Sequence, residues 1–129
     1  MPDLLEISKP LLWVSSAKKD LQAMPSSVQD TFGYALHLAQ MGSKHIRAKP
    51  LKGFGSAGVL EVVESEAGST YRAVYTVKVA GAVYVLHCFQ KKSHSGIETP
   101  KPDMDLIKSR LQDAQADHAL EVQSKGVRK

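Results

Sequence analysis

The chain has 129 residues, 43% of them apolar, one cysteine, and a net charge of +4 from 17 Lys and Arg against 13 Asp and Glu. That is the length of one ordinary domain with enough apolar side chains for its own core, and a single cysteine excludes an internal disulfide and fits a reducing cytoplasm. No apolar run approaches the roughly 20 residues of a membrane helix, and MPDLLEISKP, with acids from the start and no long apolar stretch, does not read as a secretory signal.

Residues 10–14, PLLWV, read as a short first strand, and 15–24 as a short helix with Ala17, Leu21 and Met24 on one face. A second helix follows. Ser26 and Gln29 have capping-box spacing, Val28, Phe32, Ala35, Leu36 and Ala39 recur at helical period, and Gly42 is its expected stop. The basic, glycine-rich stretch 42–58 reads as a loop with a short extended piece. GVLEVVE (58–64), YRAVYTVKV (71–79) and VYVLHCF (83–89) read as three strands of a meander, joined by turns at 66–69 and 80–82. After a loop at 90–98, Thr99 and Pro100 open a last helix. Asp103 and Asp105 suit its N-terminal end, and Met104, Ile107, Leu111 and Ala114 form its apolar face. The expectation is one α+β domain over 1–129, with residues from about 120 onward as a disordered tail. Its helices pack on one face of a small antiparallel sheet.

Charge is concentrated in the middle. Between residues 44 and 101 nine Lys and Arg face four Glu, a local excess of +5 that carries the whole imbalance. Strand alternation assigns Tyr71, Ala73, Tyr75, Val77 and Val79 to the helix side and Arg72, Val74, Thr76 and Lys78 to the other. In the next strand Tyr84, Leu86 and Cys88 go to the helix side, and Val83, Val85, His87 and Phe89 away from it. A two-residue turn at Gly81-Ala82 pairs Thr76 with His87 and Arg72 with Lys91. Arg72, Lys78, His87 and Lys91 then share a sheet face turned away from the helices. Such a face suits phosphate, because guanidinium offers a planar fork and ammonium a point charge. Phe89 and Tyr71 offer stacking surface for bases, although Tyr71 is expected on the core side. The plain alternative is a solvated basic face, with Arg72 paired to Glu61 or Glu64. LKGFGSAG lacks the P-loop pattern, the histidines and Cys88 show no zinc spacing, no G-x-S-x-G occurs, and Cys88 reads as an inert core thiol.

The blocks PLKG, YRAVY, LHCFQKK and TPKPDMDLIKSRL, taken together over residues 10–115, resemble the RelE/HigB toxin superfamily, and its phage-derived HigB-like branch above all. The resemblance implies a RelE/ParE-like fold with N-terminal helices on one sheet face and a C-terminal helix. It implies the toxin of a type II toxin–antitoxin pair, a cytoplasmic messenger-RNA endonuclease acting on the ribosome, with a helix-turn-helix antitoxin as partner. It implies cleavage with no metal and no cofactor, by attack of the ribose 2′-hydroxyl on the adjacent phosphate. Arg72 then stabilises the transition state, Lys91 and Lys92 stabilise charge or transfer a proton, and His87 is the acid or base. Lys49, Lys52, Lys78 and Phe89 hold RNA. Two departures stand out. The strand at 59–64 carries Glu61 and Glu64 where the best-studied ribosome-dependent members carry cations, and only His94 and His118 stand where some relatives have a C-terminal catalytic tyrosine or histidine. Two alternatives follow: a ParE-like toxin that binds DNA gyrase, and a phage remnant that binds RNA or antitoxin without cutting.

Overall fold

The computed structural model describes residues 8–55, 57–79, 81–91 and 99–128, with 118–128 as backbone alone. In chain order the elements are β1 (Leu11–Trp13), α1 (Ala17–Gln22), α2 (Ser26–Gln40), β2 (Lys49–Pro50), β3 (Val59–Glu66), β4 (Ser69–Val79), β5 (Ala82–Lys91) and α3 (Lys101–Arg128). The five strands form one open sheet in the order β1-β5-β4-β3-β2. All neighbours are antiparallel except β1, which runs parallel to β5 with Leu11 opposite Val83 and Trp13 opposite Val85. The α+β class is as expected from the sequence. β1 joins the sheet through a crossover that contains both N-terminal helices.

Helix α2 buries the stripe read from its period, Val28, Phe32, Ala35, Leu36 and Ala39. Its start differs from the expected capping box. Pro25 is the cap, and no side chain bonds the free N–H groups. The Gln29 amide instead donates to the carbonyls of Gln22 (3.1 Å) and Met24 (2.8 Å), fastening the end of α1 to the start of α2. The stop is as expected. Gly42 has φ +81°, its N–H reaches Ala39 O, and Ser43 N–H reaches Leu38 O at 2.8 Å. This is the pair of bonds that closes a helix on a left-handed residue.

Tight turns set the register. Ala67 (φ 51°) and Gly68 (φ 81°) make a two-residue turn between Glu66 and Ser69, the type whose twist suits a hairpin. In the next hairpin Val79 pairs with Ala82, so Ala82 already belongs to β5 and the expected turn at 81–82 does not form. Pairing therefore shifts by two positions, and Arg72 faces Phe89 instead of Lys91. An even shift keeps every side chain on its face. An irregularity between Val74 and Tyr75 then moves part of β5. Val74 pairs with His87 but Tyr75 with Val85, leaving Leu86 as the extra residue. This overturns the simple alternation read for β5. Val83, Val85 and Cys88 pack with α1 and α2, whereas Tyr84, Leu86 and Phe89 face the opposite way.

The sheet is covered on both sides. Beneath α1 and α2 lie Ala17, Leu21, Val28, Phe32, Leu36, Val62, Ala73, Tyr75, Val83 and Val85. The other face carries Val59, Val74, Tyr84, Leu86 and Phe89, and α3 closes it with Ile107, Leu111 and Ala114. Ile107 is fully buried and contributes about 2–3 kcal/mol by removal from water. The face expected to lie open is therefore the face under α3, because the apolar stripe of that helix needs an apolar surface and α1 and α2 already cover the other one.

Candidate active site

Antiparallel register places directly opposed residues on the same face. Lys49 on β2, Glu61 on β3, Val74 on β4 and His87 on β5 stand opposite one another in a single row across the sheet. In the next row Arg72 lies between Val63 and Phe89, and in the one beyond, Thr70 faces Lys91. Arg72, His87, Phe89 and Lys91, four residues singled out in the sequence, thus share one patch on the α3 side. At about 4.8 Å per strand, Glu61 and His87 stand about 10 Å apart across it.

The patch is held closed. Arg72 is 5% exposed, and its Nη1 donates to Glu61 Oε2 at 2.8 Å. The Thr99 hydroxyl, just before α3, donates to the same oxygen at 3.3 Å. A groove of about 390 Å³ opens beside this pair, lined by Lys49, Leu51, Lys52, Glu61, Thr99 and Met104. Both loop lysines therefore stand exposed at its lip, with Glu61 in its wall. Glu64 takes no part. It lies on the other face, bonded to Thr31 and Arg47, both at 2.8 Å.

His87 sits where β5 meets α3. Its Nε2 bonds Asp103 Oδ1 at 2.8 Å, and Arg110 Nη1 approaches its Nδ1 at 3.5 Å. Its ring stacks on Phe89, with centroids 4.5 Å apart and planes 14° from parallel. Burial pushes the imidazole below the usual histidine value, Asp103 pulls it back up, and Arg110 opposes its second proton. A second cavity, of about 360 Å³, reaches His87 from the α1 side between Asp20, Met24, Tyr71, Phe89 and Gln90. Tyr71 and Phe89, the two rings expected to offer stacking surface, both line it.

Not every residue from the sequence joins this patch. Lys78 is exposed beside Gly58 at the other end of β4, six residues and about 20 Å along the strand from Arg72. Lys92 and His94 lie outside the described residues. Lys91 is buried and shares the Arg72 face two residues beyond Phe89 on β5. Cys88 is 2% exposed on the opposite face, and burial pushes its thiol up to about 12, as befits a core thiol. Among the described residues no group of three or more His, Cys, Asp or Glu is placed to hold a metal ion, and no helix is long and apolar enough to cross a membrane.

Two members of the patch are not among the candidate site residues of the sequence: Asp103, which there only suits a helix end, and Arg110, which no motif singles out. Glu61 is the partner that the plain alternative gives Arg72. Asp103 and Arg110 are seven residues apart, two helical turns, with Ile107 between them on the buried stripe. That spacing is the signal by which the pair could have been found.

A mostly antiparallel sheet capped by a C-terminal helix, with an arginine–carboxylate pair and a clamped histidine under it, defines an α+β protein with a polar site between sheet and helix. Residues 19–112 match the model of the family described as Phage derived protein Gp49-like, and the chain belongs to that family. It is a phage-derived, toxin-like family associated with the RelE/HigB-like toxins of toxin–antitoxin systems, which implies an antitoxin partner. No curated protein and no solved structure matches the chain.

Proposed function

We propose that the chain is the toxin of a type II toxin–antitoxin pair and cuts messenger RNA on the ribosome through the ribose 2′-hydroxyl. The observation that carries this reading is the row itself. In-line displacement puts the attacking 2′-oxygen and the leaving 5′-oxygen on opposite sides of phosphorus, so base and acid must flank the phosphate. Glu61 and His87 stand on the strands either side of β4, opposite Val74, and Arg72 projects from β4 one row further along the same face. Glu61 takes the 2′-hydroxyl proton, the 2′-oxygen bonds phosphorus, the bond to the 5′-oxygen breaks, and His87 gives that oxygen a proton. The products are a cyclic phosphate and a 5′-hydroxyl. Arg72 carries the charge that gathers on the phosphoryl oxygens, exchanging its contact with Glu61 for one with RNA. Lys49 and Lys52 hold flanking phosphates at the groove lip, Lys91 and Lys92 add positive potential, and Phe89 orients His87 by stacking. Lys78, at the far end of β4, serves a more distant stretch of RNA.

The test is messenger-RNA end mapping after induction, paired with cleavage by the purified chain on programmed ribosomes. Arg72→Ala is expected to lower cleavage roughly 10²–10³-fold, the usual loss for one transition-state donor. Near-wild-type cutting by a folded Arg72→Ala protein removes Arg72 from the mechanism. Toxicity with intact RNA and gyrase-dependent DNA breaks would replace the nuclease reading with gyrase binding.

A further inference from the structure

The α3 surface that covers His87 carries a second level of organisation. A carboxylate only accepts and a guanidinium only donates. With Asp103 at Nε2 and Arg110 at Nδ1, the ring hydrogen belongs on Nε2 and the lone pair on Nδ1. Neither partner is loose. Arg110 is 7% exposed, and it also donates to the Leu86 carbonyl at 2.9 Å and the Ser16 hydroxyl at 3.2 Å. Ser16 in turn donates to Asp20 at 2.8 Å. Arg110 therefore joins three elements: the irregular point of β5, the residue that caps α1, and its own helix. The extra residue in β5 supplies one of these contacts, since Leu86 is the residue left over by the register change.

The geometry points to Asp103 and Arg110 as a pair of positioning residues for His87: together they decide which ring nitrogen carries its hydrogen, and they bias its second proton in opposite directions. This deepens the reading of His87 as the proton donor in RNA cleavage and rests on that reading for its chemical consequence. The other elements packed around His87 add one charge, Asp20 of α1, which favours protonation more weakly. Val74 of β4 and Phe89 of β5 contribute none, and Arg72 in the next row is paired with Glu61. A carboxylate and a guanidinium two turns apart on one helix thus set the charge of a base buried between them, and α3 is part of the site as well as its cover.

The experiment is a titration of the ring nitrogens of His87 by nuclear magnetic resonance, on the full ¹⁵N-labelled chain without RNA, with His87→Gln to assign the signal. The wild type is expected to show the Nε2–H form. Asp103→Asn keeps an accepting oxygen but removes the charge, and should move the titration to lower pH. Arg110→Gln removes the opposing charge and should move it to higher pH, while Arg110→Lys restores the wild-type direction. If the two residues merely hold the fold, either change loosens the site and admits water, and both titrations rise toward the ordinary histidine value. A rise in Asp103→Asn, no movement in it, or an Nδ1–H wild type overturns the inference. Should Arg110→Gln fail to fold, Asp103→Asn decides alone, because that side chain is 27% exposed. The titration needs no RNA, so its outcome is separable from a failure of cleavage. Where cleavage is observed, its alkaline limb should move with the titration in each variant.

Discussion

Breaking the Arg72–Glu61 pair tests whether the site is closed to water. The pair has its charged atoms 2.8 Å apart, with side chains 6% and 14% exposed. An exposed pair of that length is worth about 0–1 kcal/mol, whereas removing one partner of a buried pair costs about 3–5 kcal/mol, since the other charge stays desolvated. Water reaches part of Glu61, so Arg72→Met should cost about 3 kcal/mol, near the lower end of the buried range. With a urea dependence of about 1.5–2 kcal/mol per molar, ordinary for a small domain, the unfolding midpoint falls by about 1.5–2 M. Glu61→Gln alone should destabilise in the same way. The double variant, with neither charge of the pair left, should recover much of the loss and give a coupling energy of about 2 kcal/mol. The assay is equilibrium urea unfolding followed by circular dichroism, with the slope checked for constancy. A loss under about 1 kcal/mol for Arg72→Met, with no coupling, would show a water-screened pair and refute the argument that the start of α3 shields this patch.

Two further outcomes follow from other contacts. His87 has a folded-state value below its ordinary one, so the unfolded chain takes up a proton first as pH falls. Its contribution to stability is therefore complete above the ordinary histidine value and is lost as pH drops toward the folded value. His87→Gln should flatten the dependence of the urea midpoint on pH in that window, and an unchanged slope would show that the imbalance lies elsewhere. At Gly58, with φ +71°, an added Cβ would stand 2.4 Å from Lys78 Cγ and 2.9 Å from Lys78 Cβ. Gly58→Ala should therefore destabilise by roughly 1–3 kcal/mol through strain and overpacking, read as a lower melting temperature; a neutral result would place the strand entry at Val59 differently.

Local chemistry was legible wherever it acts over a few residues. The period of α2, the stop at Gly42 and the turn at Ala67-Gly68 depend on neighbours within one turn of chain, and each stands where the sequence puts it. The grouping of Arg72, His87 and Lys91 also emerged, for a narrower reason: the hairpin register is displaced by two, and an even displacement conserves faces. Had Gly81 and its neighbour made a turn of odd displacement, the same residues would have separated. The capping box failed because Gln29 finds the carbonyls of Gln22 and Met24, partners brought within reach only when α1 folds back.

What the chain by itself determined is the set of elements, their order, and which residues of β4 carry charge, because these follow from side-chain period and backbone preference alone. What only the tertiary structure decided is the fate of that charge. The displaced hairpin and the leftover Leu86 aimed β5, and the apolar stripe of α3 needed a surface, so the helix settled over the cations. With that one docking Asp103 and Arg110 became the immediate partners of His87, while the pairing of β3 with β4 brought Glu61 to Arg72. Such pairings depend on distances across strands and between layers, which no local pattern encodes.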